Sequence, residues 1–324
     1  MSGAMHPAAM ESTIVTLTMN PALDITTDTD VVGPTDKMRC SAVRYEPGGG
    51  GVNVARIAHV LGASVTAVFP AGGATGDLVT ELLSPEVPPR RVRIAGSTRE
   101  SFTVNETSSG RQYRFVLPGP WVTFAEQAEC LNALRAALVS ADFVVASGSL
   151  PPNVHPDYYQ RVADICQEHG ARLILDTSGG GLAHITDGVF LLKPSVRELR
   201  ECVGRELRSE TDQLAAAREL IERGCAENIV VSLGPGGALL ATPHVSQRYP
   251  SVVVPDGSGV GAGDALVAAI TVGLSRGWTL EKSIQLGVAA GAAMLMTPGS
   301  APCTRGDVER LFEKVPEPLA LATA

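Results

Sequence analysis

The chain has 324 residues, 44% hydrophobic and 19% charged, with 26 Lys and Arg against 34 Asp and Glu for a formal charge of −8. That composition supplies a sizeable core and excludes a disordered chain, and the acidic balance, with no Lys/Arg-rich run, excludes a nucleic-acid binder held by bulk electrostatics. An anionic substrate must therefore be gripped by a few local groups.

Residues 1–12 are small and polar, without a cationic start or an apolar run, and read as a disordered N-terminus, not a signal peptide. Ile14–Met19 reads as a buried strand, followed by Asn20-Pro-Ala-Leu-Asp24. Asp24–Glu46 alternates polar and apolar residues with no helix; a glycine run, Gly48–Gly51, then leads into the helical stretch Val52–Leu61 and the strand Val65–Phe69. Thr98–Leu117 alternates in the same way around a Ser108-Ser109-Gly110 turn.

Next come helix Phe124–Val139, strand Phe143–Ala146, helix Pro156–His169 and strands Arg172–Asp176 and Val189–Leu192. Helices Val196–Val203 and Thr211–Arg223, strands Asn228–Ser232 and Ala238–Ala241, and the helical run Ala265–Leu274 complete the pattern, with 316–324 as a C-terminal tail that reads as frayed.

Strands alternating with helices predict an α/β fold: a doubly wound, mostly parallel sheet with helices on both faces. Residues 13–24, 47–97 and 118–315 form its core, and 25–46 with 98–117 form a small antiparallel β lid. One face of so small a sheet needs covering by substrate or by another subunit, so the lid is the expected homodimer contact. The six cysteines are scattered without a C-x-x-C pair and read as reduced thiols. No apolar stretch reaches spanning length without Gly, Pro or charge, and the nearest, Val260–Leu274, contains Asp264. The expected compartment is the cytoplasm, with no membrane partner.

Ligands of such sheets bind beyond the carboxyl ends of the strands, and three segments carry suitable chemistry. Gly259-Val-Gly261-Ala262-Gly263-Asp264 precedes a helix, so backbone N–H groups and the helix N-terminus can hold an anion while Asp264 accepts a proton. The competing reading is an ordinary first-turn acid beside a tight turn. Gly48–Gly51 lets the backbone approach a ligand, with Asn53 as donor and acceptor, or serves only as a hinge. Asp24 can bind two sugar hydroxyls or simply belong to a turn. A dinucleotide fingerprint is discounted because too little chain follows Gly257-x-Gly259, and no Gly-Lys dipeptide exists to make a Walker A loop.

Together, Thr16–Asp24, Lys37–Cys40, Gly48–Arg56, Gln112–Gly119, Ser147–Pro152, Val231–Gly237 and Val260–Asp264 resemble the PfkB carbohydrate kinase family, whose fold is called ribokinase-like. The likeness runs from about Ile14 to Leu311 and is closest to the minor-type bacterial 6-phosphofructokinase branch. It implies phosphoryl transfer from ATP, as MgATP, to a phosphorylated hexose, fructose 6-phosphate first. Tagatose 6-phosphate, fructose 1-phosphate, an unphosphorylated sugar or nucleoside, or a sugar-phosphate-binding regulator are the alternatives. A monovalent cation such as K⁺ is a further candidate cofactor.

The resemblance makes Asp264 the general base and Gly261, Ala262 and Gly263 the anion hole. Asp24, Gly48, Gly49 and Asn53 would hold the sugar, Arg99 and Ser149 would read its phosphate, and Lys37 would approach the reacting phosphates from the lid. Lys193 and Glu198 fall near the ATP phosphates and Mg²⁺, with Glu198 acting through water, and Ser232, Gly234 and Gly237 would border the nucleotide. Each has a plainer rival: Arg99 and Lys37 as solvated lid charges, Gly234 and Gly237 as turn residues. Where much of the family has Asn-x-x-Glu, this chain has Ser195-Val-Arg-Glu198, which puts metal affinity in question.

Overall fold

The computed structural model describes residues 13–34, 37–41, 43–83, 87–255, 257, 259–297 and 301–321; the expectation for residues 1–12 lies outside them. Strand β1 (Thr13–Leu17) leads through Asn20-Pro21 into β2 (Ala22–Thr29), β3 (Arg44–Gly48) and the first helix, α1 (Gly50–Val60). Then come β4 (Val65–Ala71), α2 (Gly73–Leu82), β5 (Pro89–Arg93), β6 (Arg99–Glu106) and β7 (Gln112–Val116). An alternating stretch follows: α3 (Phe124–Ala137), β8 (Ala141–Ser147), α4 (Tyr158–His169), β9 (Arg172–Asp176), the short α5 (Gly180–Ala183) and β10 (Val189–Leu192). It continues with α6 (Val196–Val203), α7 (Glu210–Glu222), β11 (Ala226–Ser232), β12 (Gly237–Ala241) and β13 (Ser246–Pro250). The last elements are α8 (Ala262–Ser275), α9 (Leu280–Met294), α10 (Arg305–Phe312) and β14 (Leu319–Ala320).

The large sheet has ten strands in the order β14-β13-β12-β11-β10-β9-β8-β1-β4-β5. From β5 to β11 every pairing is parallel, and β12, β13 and β14 extend it as an antiparallel edge. Alternating side chains of one strand feed opposite faces. Phe143 and Val145 of β8 join the apolar cluster under α1, α8 and α9, and Val144 and Ala146 join the one under α3, α4 and α7. Helix α8 is buried over Ala265–Leu274, as befits a helix that is apolar all round. Among the described residues no helix is long and apolar enough to cross a membrane.

The expected elements are present, with additions. The edge strand read over Ala238–Ala241 is present as β12, whereas its antiparallel pairing, strands β5 and β13 and helices α2, α5, α9 and α10 were not anticipated, and within the segment read as a frayed tail, Leu319–Ala320 pairs with Gln247 and Arg248 of β13. A separate four-stranded sheet, β3-β2-β6-β7, stands off the core. Its outer pairings are antiparallel, but β2 and β6 run parallel, in register from Ala22↔Arg99 to Thr29↔Glu106. Asp24 therefore rides on the small sheet, two residues beyond its first residue, Ala22.

Candidate active site

A cavity of about 320 Å³ opens where the carboxyl ends of β8, β9 and β10 face the small sheet and the starts of α1 and α8. Its wall includes Asp24, Gly49, Asn53, Arg99, Ser149, Lys193, Glu198, Gly261 and Asp264, from elements far apart in the chain. Gly48 lies just behind: a Cβ there would come within 2.3 Å of the Asp24 carboxylate, so glycine makes room for the acid.

Helix α8 starts on Gly261, whose φ of +77° places it in the left-handed region that glycine adopts readily. A glycine cap offers no side chain to the first turn: the Ala262 N–H donates to Gly259 O at 3.3 Å, while the N–H groups of Gly263 and Asp264 have no cap hydroxyl to satisfy them and can turn to an anion. Asp264 is the third residue of this turn, and its Oδ2 accepts a 2.9 Å bond from Asn53 Nδ2. Burial, reinforced by the negative charge of Asp176, pushes its pKa up to about 7, against the opposing pull of Asn53 and Lys193. A carboxylate poised near neutrality is suited to take a proton.

Lys193, just past β10, is buried, and its Nζ lies 3.0 Å from Asp176 Oδ1. Burial works against its charge, but Asp176, Glu198 and Asp264 outweigh burial and raise its pKa, so the ammonium persists at the cavity floor. Glu198 occupies the third position of α6 and is tied to the cap of its own helix. Ser195 donates to Glu198 Oε2 from its backbone N and its Oγ, each at 2.8 Å, and its Oγ accepts from Glu198 N at 3.3 Å. The serine that departs from the family's asparagine thus completes a capping box. Among the described residues no group of three or more His, Cys, Asp or Glu could hold a metal.

Opposite this floor the small sheet supplies charge. Burial pushes Asp24 up to about 6, partly offset by the guanidinium groups of Arg114 and Arg99. Arg99 is braced by backbone carbonyls: Nε and Nη2 donate to Asn20 O at 3.3 and 3.1 Å, and Nη1 to Leu117 O at 3.2 Å. Ser149 accepts from Asn20 Nδ2 at 3.3 Å.

Seven of the sequence-predicted positions do not line the cavity: Gly48, Ala262 and Gly263, which neighbour lining residues in the chain, and Lys37, Ser232, Gly234 and Gly237. Lys37 lies on the exposed segment between β2 and β3. Ser232 ends β11 and bridges to Ser195 along the same sheet edge. Gly234 and Gly237 shape the turn into β12, where a Cβ on Gly237 would come within 2.1 Å of Tyr249 O. Conversely, sequence reasoning missed Asp176, Arg114 and Ser147, all of which line the cavity. Asp176 was legible in principle, as an acid at the carboxyl end of a parallel strand.

The fold and this site together define a small-molecule kinase of the ribokinase-like architecture. Residues 17–305 match the family described as pfkB family carbohydrate kinase, and the chain belongs to it. It is 68% identical over 317 residues to the ATP-dependent 6-phosphofructokinase isozyme 2 of Mycobacterium tuberculosis, covering 97% of this chain and 94% of the relative. The Escherichia coli protein of the same name is 40% identical over 302 residues, covering 92% and 97%. Phosphofructokinase-2 from E. coli, solved in a tetrameric inhibited form, superposes with a TM-score of 0.87 at 39% identity, covering 94% of this chain and 99% of that one. That enzyme has also been solved in complex with potassium (TM-score 0.87, 38% identity) and with fructose 6-phosphate (TM-score 0.86, 37% identity), each covering 94% of this chain and 99% of that one.

Proposed function

We propose that this chain is an ATP-dependent 6-phosphofructokinase that converts fructose 6-phosphate to fructose 1,6-bisphosphate. The observation that carries this reading is Asp264: a buried acid with its pKa lifted to about 7, at a glycine-capped helix start, across a cavity from two guanidinium groups. The 68% identity to a 6-phosphofructokinase supports the choice of acceptor.

In this reading Asp24, Gly48, Gly49 and Asn53 hold the sugar hydroxyls, and Arg99, Arg114 and Ser149 take its phosphate. A guanidinium suits a dianion through paired N–H bonds. With Asn53 fixing Asp264 Oδ2, the other oxygen accepts the proton of the attacking hydroxyl. The amides of Gly261, Ala262 and Gly263, with the Lys193 ammonium, stabilise charge on the group in transit. Glu198 would hold Mg²⁺ near the phosphates through water, and the metal would supply neutralisation of their charge. Ser232, Gly234 and Gly237 border the nucleotide farther along the same edge.

Two finer points belong to the proposal. Tyr45 and Phe115, aligned across the small sheet through Ile25 and Phe102, are at least half exposed, which supports a homodimer through this sheet. The potassium complex of the E. coli enzyme supports activation by K⁺.

ADP release measured across a panel of sugars and sugar phosphates tests the reading. Fructose 6-phosphate should give the highest kcat/KM, ahead of tagatose 6-phosphate and fructose 1-phosphate. Sugar-independent ADP release would refute it. Arg99→Ala should raise KM for fructose 6-phosphate roughly 10- to 100-fold, as for loss of a charge-assisted contact, and leave KM for ATP nearly unchanged; equal rises would remove Arg99 from the phosphate site.

A further inference from the structure

Behind the phosphate side of the cavity lies a residue that does not line it, Asn20, only 6% exposed. It sits between β1 and β2, where the core hands the chain to the small sheet. Its backbone carbonyl accepts from both Nε and Nη2 of Arg99. Its side-chain Nδ2 donates to Ser149 Oγ. On its remaining side, a Cβ on Gly119 would come within 2.3 Å of Asn20 Oδ1, so the chain returning from β7 closes directly over the amide. That returning segment also supplies Leu117 O to Arg99 Nη1.

We infer that Asn20 is a positioning residue that aims Arg99 and Ser149, from opposite sides of one side chain and its carbonyl, at the phosphate of the incoming sugar. Arg99 starts a strand of the small sheet and Ser149 lies in the loop after β8, so nothing in the local sequence of either fixes their separation. Asn20 fixes it through one rigid unit. Pro21 stiffens that unit further, because the residue before a proline is confined to extended backbone, which sets the direction of the Asn20 carbonyl. A shorter side chain would leave the Ser149 hydroxyl free to rotate, and alanine would open a gap beneath Gly119. The assignment rests on the reading of Arg99 and Ser149 as phosphate ligands and adds the group that holds them.

The test measures initial rates and fructose 6-phosphate binding without nucleotide for wild type, Asn20→Ala, Asn20→Ser, Ser149→Ala and Asn20→Ala with Ser149→Ala. Asn20→Ala should raise both KM and Kd for fructose 6-phosphate roughly three- to ten-fold, the range for one hydrogen bond, with kcat and KM for ATP changed less than about two-fold. In the Ser149→Ala background it should add little, because both variants break the same bond. Equal rises in KM for both substrates, or fully additive effects, would overturn the inference. If Asn20→Ala does not fold, Asn20→Ser against Ser149→Ala carries the same comparison. A wild type that turns over fructose 6-phosphate beside an Asn20 variant that matches it refutes this inference alone; a wild type inactive on fructose 6-phosphate refutes the acceptor reading and the inference with it.

Discussion

Helices α6 and α8 both begin beside the cavity, and both place an acid at the third position of the first turn, Glu198 and Asp264. In α6 the cap is Ser195, whose hydroxyl and amide hold Glu198 Oε2. In α8 the cap is Gly261, which has nothing to offer, and Asp264 accepts instead from Asn53 of the neighbouring α1 at 2.9 Å. Thr123–Glu126 at α3 and Ser209–Asp212 at α7 repeat the α6 arrangement. An acid at this position is thus stabilising by default, completing a box that satisfies helix donors. With glycine in place of the capping hydroxyl, neither the Asp264 carboxylate nor the Gly263 and Asp264 amides are engaged by the cap.

The largest test of that contrast is Asp264→Asn, which should lower kcat by roughly 10²- to 10⁴-fold, the span of a positioned base. The same change should stabilise the protein at neutral pH. A folded-state pKa raised from 3.8 to about 7 means the native state holds its proton more tightly than the unfolded chain, so stability falls as pH rises through that window. Asp264→Asn should therefore raise Tm by about 2–4 °C at pH 8 and by less at pH 5; a lower Tm at pH 8 would mean the carboxylate is a structural asset like Glu198.

A smaller effect concerns pH. The acid limb of kcat/KM should lie near pH 7, where Asp264 loses its proton. Asn53→Ala removes a bond that lowers this pKa and should move the limb upward by roughly half to one pH unit. A downward shift would show that Asn53 does not act on the ionised form.

The smallest expected effect lies at α6. Ser195→Ala removes a cap and should cost about 1 kcal/mol of stability, with kcat within about three-fold of wild type. A loss of turnover approaching that of Asp264→Asn would erase the distinction between the two helix starts.

Much of this distinction could be read from residue order: Gly261-x-x-Asp264 differs visibly from Ser195-x-x-Glu198, and the parallel strands other than β5, whose Pro89-Arg-Arg-Val-Arg93 is mostly charged, were plain as short β-branched runs. Side chains that acquire their role through pairing were not visible. Asp176 matters because the sheet sets it beside Lys193, and Arg114 because β7 lies across from β2, with β6 between them. Helix α9, rich in Ala and Gly, is buried on nearly every side and shows no polar stripe to mark its period. Leu319–Ala320 forms a strand only because β13 leaves an edge for it.

The parallel register of β2 on β6 has an evolutionary side. A slip of one residue would turn Asp24 to the opposite face, so the stretch from Ala22 to Asp24 admits neither insertion nor deletion. The outer turn at Gly110, where an added Cβ would meet nothing within 4 Å, is under no such constraint, because lengthening a surface turn costs little chain entropy. Lineages should diverge in length there while Ala22 and Asp24 at the cavity wall stay in step, and a reporter peptide grafted at that tip should leave turnover intact.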